Sequence, residues 1–237
     1  MPVYKTQGII LKRKNFREDD RIFTVFTKDF GKLDLMARGT RKIKSKLAGS
    51  LEPFFLVNLM FAKGRNFDQI TASEIIQSFI NIRQSSYSLK VAGYLAEMVN
   101  QFTKLGHRDE KIFYFLKKNL EYLNKKTFKP SHYFIQALSS QFISLLGFRP
   151  ELYICTNCHK KITLEKNYFS YKKGGITCPQ CQDNMKEAVP IGNSAIKLMR
   201  LFLEKDLDQV SKIKYNKNLH QETKNIINDF LRYHLER

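Results

Sequence analysis

The first third of the chain alternates between apolar and polar positions. Ile22, Thr24 and Phe26 fall on one side of such a pattern, and a period of two is typical of β-strands. Turn-forming residues divide residues 3–76 into about five short strands. Five strands in so short a stretch predict a small closed or partly open barrel, for which the OB-fold is a common architecture.

The period changes to that of an α-helix after Ser85. Apolar residues between 89 and 102 then share one face, and Gly106 ends the run. A helical pattern is absent from residues 151–189, which hold all four cysteines of the chain. Further helices are predicted over residues 112–123 and 131–145, from about Ser194, and around Ile227, Phe230 and Leu231.

The changes of period divide the chain into segments. We predict a barrel domain over 1–80, a helical domain over 81–150 and 190–237, and an insertion over 151–189. The fold class is therefore α+β and multidomain, with an N-terminal five-stranded OB-fold β-barrel followed by an α-helical domain that carries an inserted zinc ribbon with four cysteine ligands.

The cysteines form two pairs with the spacing C-x2-C-x19-C-x2-C. Two such pairs, each on a tight turn, complete a tetrahedron of thiolates without an open position for a substrate. We expect one structural Zn²⁺ held by Cys155, Cys158, Cys178 and Cys181.

Three other interpretations of the cysteines are less consistent with the sequence. Cys155 to His159 also spells a c-type haem attachment string, which leaves the second pair unexplained. A zinc deaminase needs its H-x-E motif before the cysteines, whereas His220 comes after them. A thioredoxin-like redox pair needs a βαβ context, which the sequence pattern does not show. An oxidised form of the same cysteines without metal remains open.

The chain carries a formal charge of +19, with 41 Lys and Arg against 22 Asp and Glu. Residues 1–80 contribute +7, from 15 basic and 8 acidic groups, and residues 81–150 contribute another +7, from 11 basic and 4 acidic groups. A polyanion such as a nucleic acid is the expected partner of such an excess. The alternative is a surface of solvated lysines without a specific partner.

A basic loop follows the third predicted strand. Five cations within nine residues have no acidic neighbour between them, and long basic side chains can follow a sugar-phosphate backbone; the alternative is a solvated barrel loop. Tyr4, Phe16 and Phe67 flank the basic segments and are candidates for stacking on bases. The predicted nucleic-acid contacts are Arg38, Arg41, Lys42, Lys44 and Lys46, extended by Lys12, Arg13, Lys14, Arg17 and Arg21.

Common catalytic motifs are missing from the sequence, including the P-loop, H-E-x-x-H and G-x-S-x-G patterns. We therefore expect a protein that is not an enzyme. Asp19 and Asp20 suggest a metal-dependent nuclease only weakly, because adjacent strand residues point to opposite sides. Neither a signal peptide nor a membrane span is apparent, so we expect a cytoplasmic protein without membrane contact.

Several short strings in the barrel segment and beyond it form a specific combination. In the barrel segment they are Ala37-Arg38-Gly39 and residues 47–54, Leu-Ala-Gly-Ser-Leu-Glu-Pro-Phe. Beyond it they are residues 147–152, Gly-Phe-Arg-Pro-Glu-Leu, and Gly174-Gly175 before the second cysteine pair. Together these strings resemble the RecO family of bacterial DNA-repair and recombination mediators.

The resemblance implies an OB-fold joined to a helical bundle with a zinc module. It further implies binding of single- and double-stranded DNA through Arg38, Arg41, Lys42, Lys44 and Lys46. It also implies annealing of strands coated by the single-strand-binding protein SSB, contact with the acidic C-terminal tail of SSB, loading of RecA together with RecR, and association with the bacterial nucleoid during repair. The alternative is an RNA-binding zinc-ribbon protein of translation or transcription, which shares the charge, the barrel and the cysteines.

Overall fold

The computed structural model describes residues 2–182 and 187–235, which fall into two compact units, residues 1–128 and 129–237. Met1, residues 183–186 and residues 236–237 belong to the predicted barrel, insertion and last helical segment, and they lie outside the described residues. The division of the sequence into 1–80, 81–150, 151–189 and 190–237 stays a prediction.

The first unit begins with a closed five-stranded barrel, as the sequence predicts. The strands follow the order β1-β2-β3-β5-β4 around the barrel, and β3 and β5 pair in parallel while the other pairs are antiparallel. A closed barrel leaves few unpaired strand edges. The strands are β1 (Val3–Asn15), β2 (Arg21–Thr27), β3 (Gly31–Ala37), β4 (Leu56–Ala62) and β5 (Asp68–Gln77).

Apolar side chains on the inner side of the strands fill the barrel. Phe23 and Phe61 are almost completely buried, and Tyr4 packs against this core with its ring centroid 5.3 Å from that of Phe61. Gly31 has a φ of +65°, and a Cβ atom there would lie 2.1 Å from the carbonyl oxygen of His107. Only glycine fits this first position of β3 without displacement of the backbone.

Three α-helices follow the barrel in the described part of the first unit. They are α1 (Ile80–Arg83), α2 (Ser86–Phe102) and α3 (Glu110–Leu123), of which α1 is too short to show a helical period in the sequence. The hydroxyl of Ser85 accepts a hydrogen bond from the backbone N–H of Ser88 and so caps α2. Asp109 caps α3 in the same way by accepting from two backbone N–H groups.

The second unit combines helices with a small three-stranded sheet of order β7-β6-β8. Its strands are only three or four residues long, which is too short for an alternating pattern to predict them. Its elements are α4 (Phe134–Leu145), β6 (Asn167–Ser170), β7 (Gly175–Thr177), α5 (Pro179–Gln182), β8 (Ala188–Ile191), α6 (Asn193–Glu204), α7 (Leu207–Ser211) and α8 (Lys217–Leu235).

Over residues 2–182 and 187–235, each helix is either too short or too polar to cross a lipid bilayer.

Candidate metal centre and nucleic-acid interface

The four cysteines come together in the second unit. The sulfur atoms of Cys155, Cys158, Cys178 and Cys181 all lie within 4.8 Å of one another, and the Sγ atoms of Cys158 and Cys178 are 3.8 Å apart. In a tetrahedral site with Zn–S bonds of about 2.3 Å, the sulfurs are about 3.8 Å apart. The cluster therefore fits a metal ion with four thiolate ligands.

Tight turns aim the sulfurs at one point. The backbone N–H of Cys155 donates to the carbonyl of Lys160 at 2.8 Å, and the N–H of His159 donates to the carbonyl of Cys155 at 3.0 Å. His159 has a φ of +60°, which closes this turn. The N–H of Thr156 donates to the carbonyl of Ile176 at 2.8 Å, and this bond joins the first cysteine turn to the strand that precedes the second pair.

The pKa values of Cys155 and Cys178 are shifted in opposite directions. Burial raises the pKa of Cys155, but the backbone N–H groups of Cys158, Cys178 and Asn157 outweigh it and bring the pKa from 9.0 to about 6. Burial is the main cause that raises the pKa of Cys178 to about 12, followed by hydrogen bonds with the other three cysteines, Cys181 first. Binding of a metal ion requires the thiolate form, so the raised pKa of Cys178 means that this thiol releases a proton when the ion binds.

The predicted basic loop is anchored to the turn between β1 and β2. The backbone N–H of Gly39 donates to the carboxylate of Asp20 at 2.9 Å, and the N–H of Arg41 donates to the carbonyl of Asp19 at 3.0 Å. The side chain of Asp19 also lies 3.2 Å from the Nζ atom of Lys42. These aspartates hold the loop in place, a role that their position in the sequence did not reveal.

Nine of the ten predicted cations are exposed, and Arg21 is half-buried. Arg13 pairs with Glu52 and Lys42 pairs with Asp19; the other eight form no ion pair with the residues that the structure describes. Arg21 lies opposite Asn15 on β1 and Ala37 on β3. The turn after β1 and the loop after β3 therefore share one end of the barrel.

A cleft of about 510 Å³ opens at this end of the barrel. Two of the ten predicted cations line it, together with two basic residues of the loop between β4 and β5 and two of the predicted stacking aromatics. Tyr4, the third predicted stacking residue, packs into the barrel core instead. The cationic and aromatic residues that line the cleft are Phe16, Arg17, Arg38, Lys63, Arg65 and Phe67.

The rings in the cleft are arranged by their neighbours. Phe16 meets Phe67 edge to face with the ring centroids 5.4 Å apart, and the guanidinium of Arg17 lies 5.3 Å from the centroid of Phe16. Arg38 and Arg65 make no side-chain hydrogen bond or ion pair within residues 2–182 and 187–235. Their charges are therefore available to an anionic ligand.

Lys63 and Arg65 are the cleft residues that sequence reasoning missed. They lie far along the chain from the basic loop, but β5 pairs with β3 in parallel, with Leu35 opposite Asp68. This pairing carries the β4–β5 loop to the end of β3. The only signal in the sequence is the turn between the last two predicted strands, whose loop in OB-folds commonly contributes to the binding face.

The fold and the two sites define a class: proteins that join an OB-like barrel with a cationic, aromatic cleft to a helical unit with a four-cysteine cluster. Residues 1–79 match the family described as "Recombination protein O N terminal", and residues 83–237 match "Recombination protein O C terminal". The chain therefore belongs to the RecO family.

Individual relatives agree over the whole length. "DNA repair protein RecO" of Thermoanaerobacter sp. is 33% identical over 236 residues, which cover 100% of this chain and 94% of the relative. The protein of the same name from Dehalococcoides mccartyi is 34% identical over 234 residues, or 99% and 91% of the two chains. The protein of this name from Roseiflexus sp. is 32% identical over 235 residues, which cover 99% of this chain and 82% of the relative.

Proposed function

We propose that this protein is a DNA repair and recombination mediator that binds single- and double-stranded DNA and anneals complementary strands without covalent chemistry. Membership of the RecO family supports a role in DNA repair and recombination. The observation that carries the proposal is the barrel cleft, which is lined by Arg17, Arg38, Lys63 and Arg65 together with Phe16 and Phe67. Of these cations, Lys63 is paired with Asp68 at 2.9 Å. Cations that follow a phosphate backbone and rings that stack on bases are what binding of a single strand requires.

The cleft suits a strand whose sequence is not read. Arginine and lysine side chains contact phosphates, and such contacts fix position without distinguishing bases. Aromatic faces accept any base, because every base has a π-face. The basic loop after β3 extends the positive surface beyond the cleft, and its anchoring by Asp19 and Asp20 holds its cations at the same end of the barrel. Binding would therefore be tight, general and sensitive to salt.

The four-cysteine cluster supports a structural Zn²⁺. Four protein ligands complete the tetrahedron, so a zinc ion held there would have no open position for water or substrate. When bound, the ion would supply cross-linking of Cys155, Cys158, Cys178 and Cys181 and no reactive group. A site closed in this way accords with a protein that is not an enzyme.

Annealing needs no catalytic residue. Stacking supplies about 1.4 kcal/mol per base-pair step once complementary strands meet, so the obstacle is repulsion between phosphates. A chain with a formal charge of +19 reduces that repulsion. Following the family resemblance, the proposal includes SSB, through its acidic tail, and RecR as partners, RecA as the recombinase that is loaded, and the bacterial cytoplasm and nucleoid as the place of action.

Annealing of complementary oligonucleotides coated with SSB tests this proposal. We expect the protein to accelerate duplex formation well beyond the rate of the coated strands alone, and a pair of non-complementary strands serves as the control. A rate equal to that of the coated strands alone would overturn the proposal. Competition between RNA and DNA strands of one sequence separates it from an RNA-binding function, which would require RNA to compete better.

Replacement of Phe16 by alanine is expected to weaken binding of single-stranded DNA by about 5- to 150-fold. Loss of one base-stacking ring costs about 1–3 kcal/mol, and Phe16 is 42% exposed beside the cleft cations. Fluorescence anisotropy of a labelled oligonucleotide measures the effect. Phe148→Ala is the matched control, because Phe148 is 39% exposed and lies in the second unit. Equal affinities of the two variants would show that Phe16 does not stack on bases.

A further inference from the structure

Helix α3 buries one face and exposes the opposite one. Leu116 and Leu120 are fully buried. At 3.6 residues per turn, Lys111, Tyr114 and Lys118 fall on the opposite side, and all three are exposed. The exposed face therefore carries lysines with a tyrosine between them.

Two cation–aromatic contacts extend this face beyond the helix. The Nζ atom of Lys28, in the turn after β2, lies 5.6 Å from the ring centroid of Tyr114. The Nζ atom of Lys125, two residues after the helix, lies 5.1 Å from the centroid of Tyr122. We call the resulting set the α3 stripe, and it consists of Lys28, Lys111, Tyr114, Lys118, Tyr122 and Lys125.

Acidic side chains beside the α3 stripe have partners of their own. Glu110 pairs with Arg108, and a carboxylate oxygen of Glu121 lies 3.9 Å from the Nζ atom of Lys117. Asp29 accepts a hydrogen bond of 2.6 Å from a threonine hydroxyl on β1. The stripe lysines themselves form no ion pair with the part of the chain that the structure describes. The stripe therefore keeps its positive charge.

The α3 stripe is separate from the barrel cleft. Lys28 follows the last residue of β2, whereas Arg21 begins the same strand at the end where the cleft opens. Seven residues of strand at about 3.3 Å each separate these two positions by about 23 Å. Lys111 and Lys118 lie about 10.5 Å apart along the helix. This distance corresponds to about three phosphates along one strand of a duplex.

We propose that the α3 stripe binds the phosphate backbone of a second nucleic-acid strand while the barrel cleft holds the first. Charge complementarity favours a polyanion, and the exposed ring of Tyr114 offers a surface on which a base can stack. Two strands held on one molecule meet at a high effective concentration, which accelerates their pairing without any further contact. The inference rests on the proposed function only in that the first strand occupies the cleft.

The test uses two non-complementary oligonucleotides of about 15 nucleotides, one with a donor dye and one with an acceptor. The protein is first saturated with one equivalent of the donor-labelled strand, and the acceptor-labelled strand is then added. A molecule with a single site would only exchange one strand for the other, so energy transfer reports two strands on one molecule. The stripe variant replaces Lys111, Lys118 and Lys125 by glutamate. Its charge-matched control replaces Lys197, Lys214 and Lys224, which are exposed in the second unit.

We expect energy transfer with the unaltered protein. The stripe variant should bind the second strand at least tenfold more weakly, while its affinity for the first strand stays within threefold of that of the unaltered protein. The control variant should bind both strands with affinities within threefold of those of the unaltered protein. Absence of transfer in the unaltered protein, or equal transfer in the stripe and control variants, would overturn the inference. The inference would also be overturned if a polyglutamate peptide bound to the unaltered protein but not to the stripe variant, and no second strand was bound.

Failure of the proposed function gives a different result. A cleft variant with Arg17, Arg38 and Arg65 replaced by alanine would then bind the first oligonucleotide as tightly as the unaltered protein. Because neither probe can anneal, the response of energy transfer to the stripe variant still decides whether the stripe binds a strand.

Discussion

Replacement of Arg38, Arg41, Lys44 and Lys46 by alanine will weaken binding of single-stranded DNA by about 100-fold at 0.15 M salt and leave the melting temperature nearly unchanged. Each phosphate contact contributes about −0.7 to the log–log salt slope for single strands. Loss of four contacts therefore removes most of the electrostatic affinity. Anisotropy titrations at several salt concentrations, together with a thermal melt, measure both effects.

The structure explains why this variant should keep its stability. All four side chains are exposed and outside the ion pairs of the loop. The guanidinium of Arg41 donates a hydrogen bond to the carbonyl of Arg17 at 3.2 Å, and the loss of this exposed bond costs about 1 kcal/mol or less. The backbone N–H groups of Gly39 and Arg41 anchor the loop, and these bonds remain after substitution. Alanine at Lys197, Lys214, Lys217 and Lys224 is the control, because it removes the same charge from exposed positions of the second unit. If the affinity of the loop variant for single-stranded DNA stayed within twofold of that of the unaltered protein, the loop would be merely solvated.

Replacement of Cys178 by serine will abolish stoichiometric metal binding and loosen the fold around the cysteines. Metal binding contributes about 10–16 kcal/mol in isolated zinc-finger peptides, although a larger fold realises less of it. Here the second pair is tied to the first through the backbone N–H of Cys178, which donates to the sulfur of Cys155 at 3.4 Å. Metal analysis and hydrogen exchange over residues 151–182 measure the two effects, and the barrel should keep its protection.

The matched control for this variant is Thr156→Ser. Its hydroxyl lies 3.3 Å from that of Thr177, beside the cluster, and serine retains it. The control should keep one metal ion per chain. Full metal content in the Cys178→Ser variant would contradict the four-thiolate site, and unchanged hydrogen exchange despite loss of the metal would contradict its structural role.

The barrel and the cysteine cluster were predictable because their signals are local. Alternation of apolar residues marks each strand, and the C-x2-C pairs bring their own turns. The three-stranded sheet of the second unit was not predictable, since β7 has only three residues and pairs with β6 in a register that the turn between them sets. Short strands depend on tertiary pairing more than on their own pattern.

The candidate site was predicted only in part, because barrel closure assembles it. Arg17 and Arg38 were found from the charge pattern, whereas Lys63 and Arg65 reach the same cleft through the parallel pairing of β3 with β5. Parallel pairing joins segments that are distant in sequence, so no local sequence pattern predicts it. Asp20 appeared in the sequence only as a weak nuclease candidate, whereas in the structure its carboxylate anchors the loop that carries the cations.

The dependence of single-strand affinity on salt tests the central claim most directly, namely that cations of the barrel grip a polyphosphate chain. If about five phosphates are contacted, a plot of log affinity against log salt concentration should have a slope of about −3 to −4. A slope near zero would contradict the claim, because the release of counterions would then make no contribution to the affinity.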